Sequence, residues 1–326
     1  MAVIDFHTHY YPPEYLKALE KGPSNVRIGR DRDGNPVLYY PGDYNVAVPG
    51  HRDIAFREDD VTGLGVDLQV LTLTTPGTHV ESPAVAARLA ALTNDALARV
   101  AVERLEHFSA LATLPLNDPA ASVRELERAR GELRLAGAML FSNVNGVPLA
   151  DPRFWPLYEA ANDLDAVFFI HPTSPLGVEA MTEYWLMPLV GFLFDTTLAA
   201  AHLVLSGIPE RFPRIRWVLA HLGGAIPYLA ERLDRGYEAF PECRARIHQP
   251  PSHSLKRFYY DTVNFDPAAL ALAIGFAGAD HILAGSDYPH RIGSIEQMRR
   301  SIAALPVSED DRQAILGGNA RRLLGL

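Results

Sequence analysis

Short apolar runs rich in β-formers alternate with longer stretches of helical periodicity along the whole chain. The apolar runs are Val3–His7, Leu68–Thr74, Ser109–Leu114, Ala136–Phe141, Val167–Ile170, Ile215–Ala220, Phe258–Thr262 and Ile282–Gly285. Between them lie helical patterns at Ala84–Glu103, Ala120–Glu132, Pro152–Asn162, Val190–Ser206, Ile226–Phe240, Pro267–Phe276 and Ile295–Ala304. Asp151-Pro152 and Asp266-Pro267 each set an N-cap acid before a proline in the first helical turn. The alternation predicts parallel βα units, and eight strands of this kind predict an α/β fold, the (β/α)8 TIM barrel. In that fold catalytic groups are expected at the C-terminal ends of the strands.

Two segments leave the pattern. Residues 22–56 separate the first two strands without a clean helix. Val26–Ile28 and Val37–Tyr40 flank the turn-forming stretch Asp31 to Pro36. This predicts a small β insertion after strand 1, near the barrel mouth. Ser308–Leu323 reads as a C-terminal helix packed outside the barrel. The expectation is a single barrel domain over residues 1–326, with no internal repeat.

Composition narrows the class. Hydrophobic residues make up 48% and charged residues 21% of the 326, an ordinary globular balance that excludes disorder. The net charge of −9 is a poor surface for tracking phosphates, so nucleic acid is not expected as a partner. Leu186–Leu205 is apolar but interrupted by Pro188, Asp195, two threonines and His202, and no membrane span is expected. The single cysteine, Cys243, excludes an internal disulfide framework. With no signal-peptide pattern at the start of the sequence, the expected location is the cytoplasm.

The chemistry lies at the strand ends. His7 and His9 are two residues apart on a strand and so share a face. Alone, such a pair also fits a polar strand end with solvated histidines. His171 follows Val167–Ile170, His221 follows Ile215–Ala220, and Asp287 follows Ile282–Gly285, each where a strand leaves the core. Four imidazoles and one carboxylate then converge on one mouth, a donor set suited to a borderline divalent ion such as zinc. His51, His79, His107, His202, His248, His253 and His281 read as surface or satisfied histidines. The run Arg57 to Asp60 reads as a solvated helix start.

These motifs resemble the amidohydrolase superfamily, in the branch of 2-amino-3-carboxymuconate-6-semialdehyde decarboxylase. The resemblance runs through Ile4–His9, Phe169–Pro172, Trp185–Pro188, His221–Pro227, Tyr260–Val263, Leu283–Pro289 and Gly318–Gly325. It implies one divalent metal ion held by His7, His9, His171 and Asp287, zinc first, manganese or iron as alternatives. Water completes the shell, and His221 is the unliganded acid/base that handles it. The superfamily's binuclear members bridge two metals with a strand lysine. Lysine occurs here only at Lys17, Lys21 and Lys256, outside every predicted strand, which favours a mononuclear site.

The implied activity is non-oxidative decarboxylation of a small unsaturated or aromatic carboxylic acid. The alternative is hydrolysis, by the same metal, of a lactone, an amide or a C–C bond beside a carbonyl. Arg232, eleven residues after His221, matches the family arginine that reaches substrate from a neighbouring subunit, so a homodimer is implied. Ordinary helix-surface pairing is the competing reading for Arg232. Arg52 is the candidate second arginine, in the insertion. Trp185 matches a pocket aromatic, with core packing as its competing explanation. His290 completes the substrate-binding candidates, standing where the resembling decarboxylases usually have Phe.

Overall fold

The computed structural model describes residues 2–326. Eight parallel staves form the barrel: β1 Ile4–His9, β2 Leu68–Thr72, β3 Phe108–Ala110 continued by Ala112–Thr113, β4 Gly137–Phe141, β5 Val167–His171, β6 Arg216–Leu219, β7 Tyr259–Asp261 and β8 Ile282–Leu283. They pair in chain order, β1–β2–β3 and β3–β4–β5–β6–β7–β8, with β3 shared between the two runs. The ring closes because the Phe6 N–H donates to the Ala284 carbonyl at 2.8 Å and the His9 N–H to the Tyr288 carbonyl at 2.8 Å. The fold is the predicted TIM barrel.

Strand periodicity sorts the side chains. On β5, Phe168 packs outward against Tyr158 and Trp217, while Phe169 meets Phe6 and His7. On β1 the pairing with β2 slips between Asp5 and Thr8, which places a bulge at Phe6–His7. A bulge re-aims side chains where it occurs, and here it carries both His7 and His9 into the barrel mouth. The strand therefore runs two residues beyond its expected end at His7.

The helices form where the caps predict. Asp118 and Asp266 accept backbone N–H groups at the starts of Pro119–Gly131 and Pro267–Ala277, and Ser294 does so for Ile295–Ala303. Asp151 caps only a short 3₁₀ turn, Pro152–Phe154, that leads into the helix Trp155–Asp163. The apolar stretch near Val190 starts with a π-helical turn, Met187–Gly191, and continues as Phe192–Leu205. By length and composition it would span a membrane. Instead Ala199, Ala200, Leu203 and Val204 are buried in the barrel's core, as is Asp195.

The insertion holds three antiparallel strands, Arg27–Arg30, Pro36–Tyr40 and Asp43–Val46. The first two are the predicted hairpin, and the Asp31 carboxylate accepts the Asp33 and Asn35 N–H groups in its turn. Helices Pro13–Lys21 and Ile54–Gly63 flank the insertion and were not legible as such. The second corrects the reading of Arg57 to Asp60. Arg57 is fully buried, donating to the carbonyls of His9 and Gly50 and to Gln69.

The expected C-terminal helix is helical from Glu309 to Leu324, with a π-helical turn at Ala314–Gly318. It braces β8: the Ala284 N–H donates to the Ile315 carbonyl, and the Asn319 amide donates to the carbonyls of Ala279 (2.8 Å) and Ile282 (2.7 Å). Asn319→Ala strands two acceptors in a dry setting. It should lower stability by about 2 kcal/mol or more, read as an earlier denaturation midpoint at unchanged m.

Candidate metal centre

Four strand ends deliver the donors. His7 and His9 come from the bulged end of β1, His171 ends β5, and Asp287 follows β8 with its N–H on the His7 carbonyl at 2.9 Å. One ligand atom from each lies within 4.8 Å of every other, and all four residues are buried. Their hydrogen-bond partners fix which atoms face inward. The His7 Nδ1–H donates to the Asp261 carboxylate at 2.5 Å, and the His171 Nδ1–H to the Pro172 carbonyl at 2.8 Å. Thr72 spends its hydroxyl proton on the Thr8 carbonyl, so at 3.2 Å it accepts from the Nδ1–H of His9. When the imidazoles are neutral each Nε2 is left with a lone pair pointing at the other donors, and the extra proton that His7 takes up serves only one neighbour.

Lone pairs cannot hydrogen-bond one another. The Nε2 atoms of His7 and His9 nevertheless lie 3.1 Å apart, and Asp287 Oδ1 is 3.3 and 3.0 Å from them. The His171 Nε2 is buried with no hydrogen-bond partner. A shared cation satisfies all four atoms at once, and three imidazoles with one carboxylate fit a divalent transition ion. This is a metal site.

The charges agree. Burial alone would raise Asp287, but the imidazoles of His221, His7 and His9 hold its carboxyl well below the usual range. Burial would lower His7, yet the carboxylates of Asp261 and Asp287 push it up to about 10. Burial, with its imidazole neighbours, holds His9 and His171 well below the ordinary histidine value.

His221 lies just outside this set. Its Nε2 is 3.8 Å from Asp287 Oδ2, and its Nδ1 is buried without a partner. Four successive residues, His221 to Gly224, have positive φ, and Asp261 stabilises the turn. Besides His7, its carboxylate accepts the N–H groups of His221 (3.0 Å), Leu222 (2.8 Å) and Val263 (3.0 Å). A Cβ at Gly224 would meet the Leu193 carbonyl at 2.1 Å, so only glycine fits there. Asp261 was missed as a functional residue in the sequence. It falls inside the predicted strand Phe258–Thr262, whereas the strand ends at Asp261 itself.

A family model described as "Amidohydrolase" matches residues 4–326. The chain belongs to the amidohydrolase family. Among relatives, it is 32% identical to the 2-amino-3-carboxymuconate-6-semialdehyde decarboxylase of Dictyostelium discoideum, over 99% of this chain and 91% of that protein. The structure of 5-carboxyvanillate decarboxylase from Sphingomonas paucimobilis matches with a TM-score of 0.87 and 27% identity, covering 100% of this chain and 99% of that one. A dihydroxybenzoic acid decarboxylase from Polaromonas sp., solved with manganese and the inhibitor 2-nitroresorcinol, matches with a TM-score of 0.82 and 27% identity, covering 100% and 97%.

The other candidates of this amidohydrolase are placed unequally. His290 is half-buried with its ring 4.8 Å from that of His9. Trp185 is 60% exposed, which excludes core packing, and leans on Tyr44 of the insertion at 5.9 Å. Arg232 is exposed on the helix Ile226–Ala239. The expectation for Arg52 is corrected. It donates to the Ala47 carbonyl and to Asn35 and lines a surface groove with Lys17, Glu20 and Arg30, away from the four donors. His51 and His79, read as surface or satisfied, are buried; both ring nitrogens of His51 and the Nδ1 of His79 lack partners.

These charges set the pH dependence of metal binding. With His9 and His171 neutral, His7 is the one ligand whose proton an ion must displace near neutrality. Its pKa of about 10 lies above the working range, so acidification favours the protonated, metal-free form throughout. Apparent affinity should rise about tenfold per pH unit between about pH 6.5 and 8.5, measured by chelator competition. A flat profile would show that His7 carries no such proton.

Proposed function

We propose that this amidohydrolase is a metal-dependent, non-oxidative decarboxylase of a small aromatic carboxylic acid. The observation that carries the reading is His221, a buried imidazole beside the donor set yet not part of it, in a chain whose similar proteins are named decarboxylases. His7, His9, His171 and Asp287 would hold one ion. Zinc is the ion we propose from the donor types, with manganese, which the Polaromonas relative holds, as the alternative and iron after it. The absence of lysine from every barrel strand supports a single ion. When bound, the ion supplies Lewis-acid charge that draws an anionic substrate into the mouth.

The remaining work falls to the protein. His221 delivers a proton to the ring carbon that bears the carboxylate. The C–C bond to the carboxylate then breaks, its electron pair returns to the ring, and carbon dioxide leaves. His221 recovers its proton from solvent. Asp261 keeps the imidazole in place by holding the backbone of His221 and Leu222. His290 faces the substrate from the His9 side, and Trp185 borders the entrance.

The functional unit we propose is a cytoplasmic homodimer of chains that each act as one domain over residues 1–326. The helix that starts at Met187 leaves Leu189, Val190, Phe194 and Leu198 exposed, beside exposed Tyr184 and Trp185. An apolar set of this kind is what a second copy would cover. Tyr228 and Arg232, one helical turn apart, share an exposed face of the neighbouring helix. Among the described residues Arg232 has no ion-pair partner, which leaves its guanidinium free for a carboxylate in the partner's site.

Carbon dioxide release tests the reaction. The metal-loaded protein, screened against benzoates, should release it. His221→Ala should keep the metal and lose turnover by about 100-fold or more, while His171→Ala loses metal and turnover together. Consumption of a substrate without carbon dioxide would instead make the enzyme a hydrolase.

Complementation tests the shared site. After subunit exchange, a mixture of inactive Arg232→Ala and His221→Ala chains should regain part of the activity, because one mixed-dimer site has both residues intact. No recovery despite proven exchange would return Arg232 to the helix surface.

A further inference from the structure

Asp195 is the one acid in the apolar stretch from Met187 to Leu205, and it is buried. It lies in the first turn of the helix Phe192–Leu205, between Phe194 and Leu198, which are exposed. A buried carboxylate needs partners for its charge. Among the described residues no lysine or arginine pairs with it; its partners are the side chains of Ser142 and Asn143. Burial raises its carboxyl above the ordinary carboxylate value, and those two donors pull it back.

Both donors follow β4, and their other bonds fix the direction of each. The Asn143 Oδ1 accepts the Gly146 N–H at 2.9 Å, so the amide N–H of Asn143 is what meets Asp195 Oδ2, at 3.1 Å. The Ser142 hydroxyl donates to that same oxygen. With its proton spent on Asp195, the hydroxyl oxygen is left to accept, and it takes the Thr173 N–H at 3.2 Å. The Ser142 N–H donates to the His171 carbonyl at 2.9 Å. One serine therefore grips the chain on both sides of Pro172.

The Pro172 carbonyl and the Thr173 N–H are the two ends of one peptide group. That carbonyl is the acceptor of the His171 Nδ1–H, at 2.8 Å. A continuous series thus runs from the Asp195 carboxylate through the Ser142 hydroxyl and this peptide to the imidazole of a metal ligand. Hydrogen bonds in series polarise one another. The charge on Asp195 makes the serine oxygen a better acceptor, the peptide carbonyl more negative and the His171 Nε2 more basic. His7 has the Asp261 carboxylate in direct contact; His171 reaches a carboxylate only through this series. We infer that Asp195 is a positioning residue for the metal ligand His171, acting through the Ser142 hydroxyl and the Pro172–Thr173 peptide. The inference rests on the metal centre and holds whichever reaction the enzyme performs there.

The test is manganese affinity of the full chain, measured by chelator competition, with the electron paramagnetic resonance spectrum of the bound ion recorded alongside. Asp195→Ala and Ser142→Ala should each weaken binding about 10–100-fold and change the spectrum, because the His171 ring loses its fixed orientation. Both break one series, so the double variant should bind within about twofold of the weaker single variant. Asp195→Asn keeps an acceptor oxygen without the charge and should recover part of the loss. Tyr158→Phe is the comparison for stability alone. It strands the buried Leu149 carbonyl outside the barrel, and should lower the denaturation midpoint while leaving metal affinity within about twofold of wild type. Unchanged affinity in folded Asp195→Ala or Ser142→Ala, additive losses in the double variant, or an equal loss in Tyr158→Phe overturns the role. If Asp195→Ala does not fold, Ser142→Ala, which removes only a hydroxyl, decides alone. If the wild-type protein binds neither manganese nor zinc, the metal centre itself fails and the role falls with it.

Discussion

One carboxylate, that of Asp261, accepts four hydrogen bonds in a fully buried position. Burial would raise its pKa, but His7 and the surrounding N–H groups hold it below the usual range. No arginine or lysine shares in this; the charge is met by the imidazoles of His7 and His221 and by three peptide dipoles. The bonds reach a metal ligand on β1, the turn after β6 and the end of β7. The orientation of His7 and the position of His221 therefore depend on the same two oxygen atoms. The His7 ring and the turn that carries His221 are set together, and neither can relax without moving the other.

Beneath that group the barrel applies a second constraint. The donors meet only because a bulge turns His7 and His9 into the mouth and because ring closure brings Asp287 against β1. Buried Asp5 accepts from Ser286 and Gln69 and ties the same two strands below the donors. Its carboxyl is raised to about 6, because burial outweighs these bonds. The floor of the site is thus polar but saturated, whereas His51, buried nearby, keeps both ring nitrogens unpaired.

The strands and the ligand set are legible in the sequence for one reason. Apolar periodicity locates strand ends, and a polar residue at a strand end must face the mouth of a barrel. What stays hidden depends on contacts between distant segments. Arg57 reads as a solvated helix start because nothing local reveals the carbonyls of His9 and Gly50 that receive it. His51 and Arg52 are neighbours in a single helical turn, yet one is buried near His9 and the other turns out to a surface groove. No periodicity can be read from a single turn, so arginine, the chemically attractive choice, was the wrong one. Asp261 differs again: it falls inside the predicted strand, and nothing in the sequence distinguishes a residue that supports a ligand from a ligand.

The brace on β8 also bears on how the molecule comes into being. Two metal donors lie within the first nine residues and the fourth is Asp287, on a loop whose strand is held by Ile315 and Asn319. During synthesis the early staves can pair as they emerge, but the ring has no closing partner until Ala284 and Tyr288 are outside the ribosome. Until then the two β1 imidazoles sit on an open sheet edge, without the carboxylate that completes the set. Contacts spanning this much chain make closure the slow, late event of folding. The metal centre thus depends on Asp287 having joined the barrel, because a chain that stops short of it lacks the fourth donor.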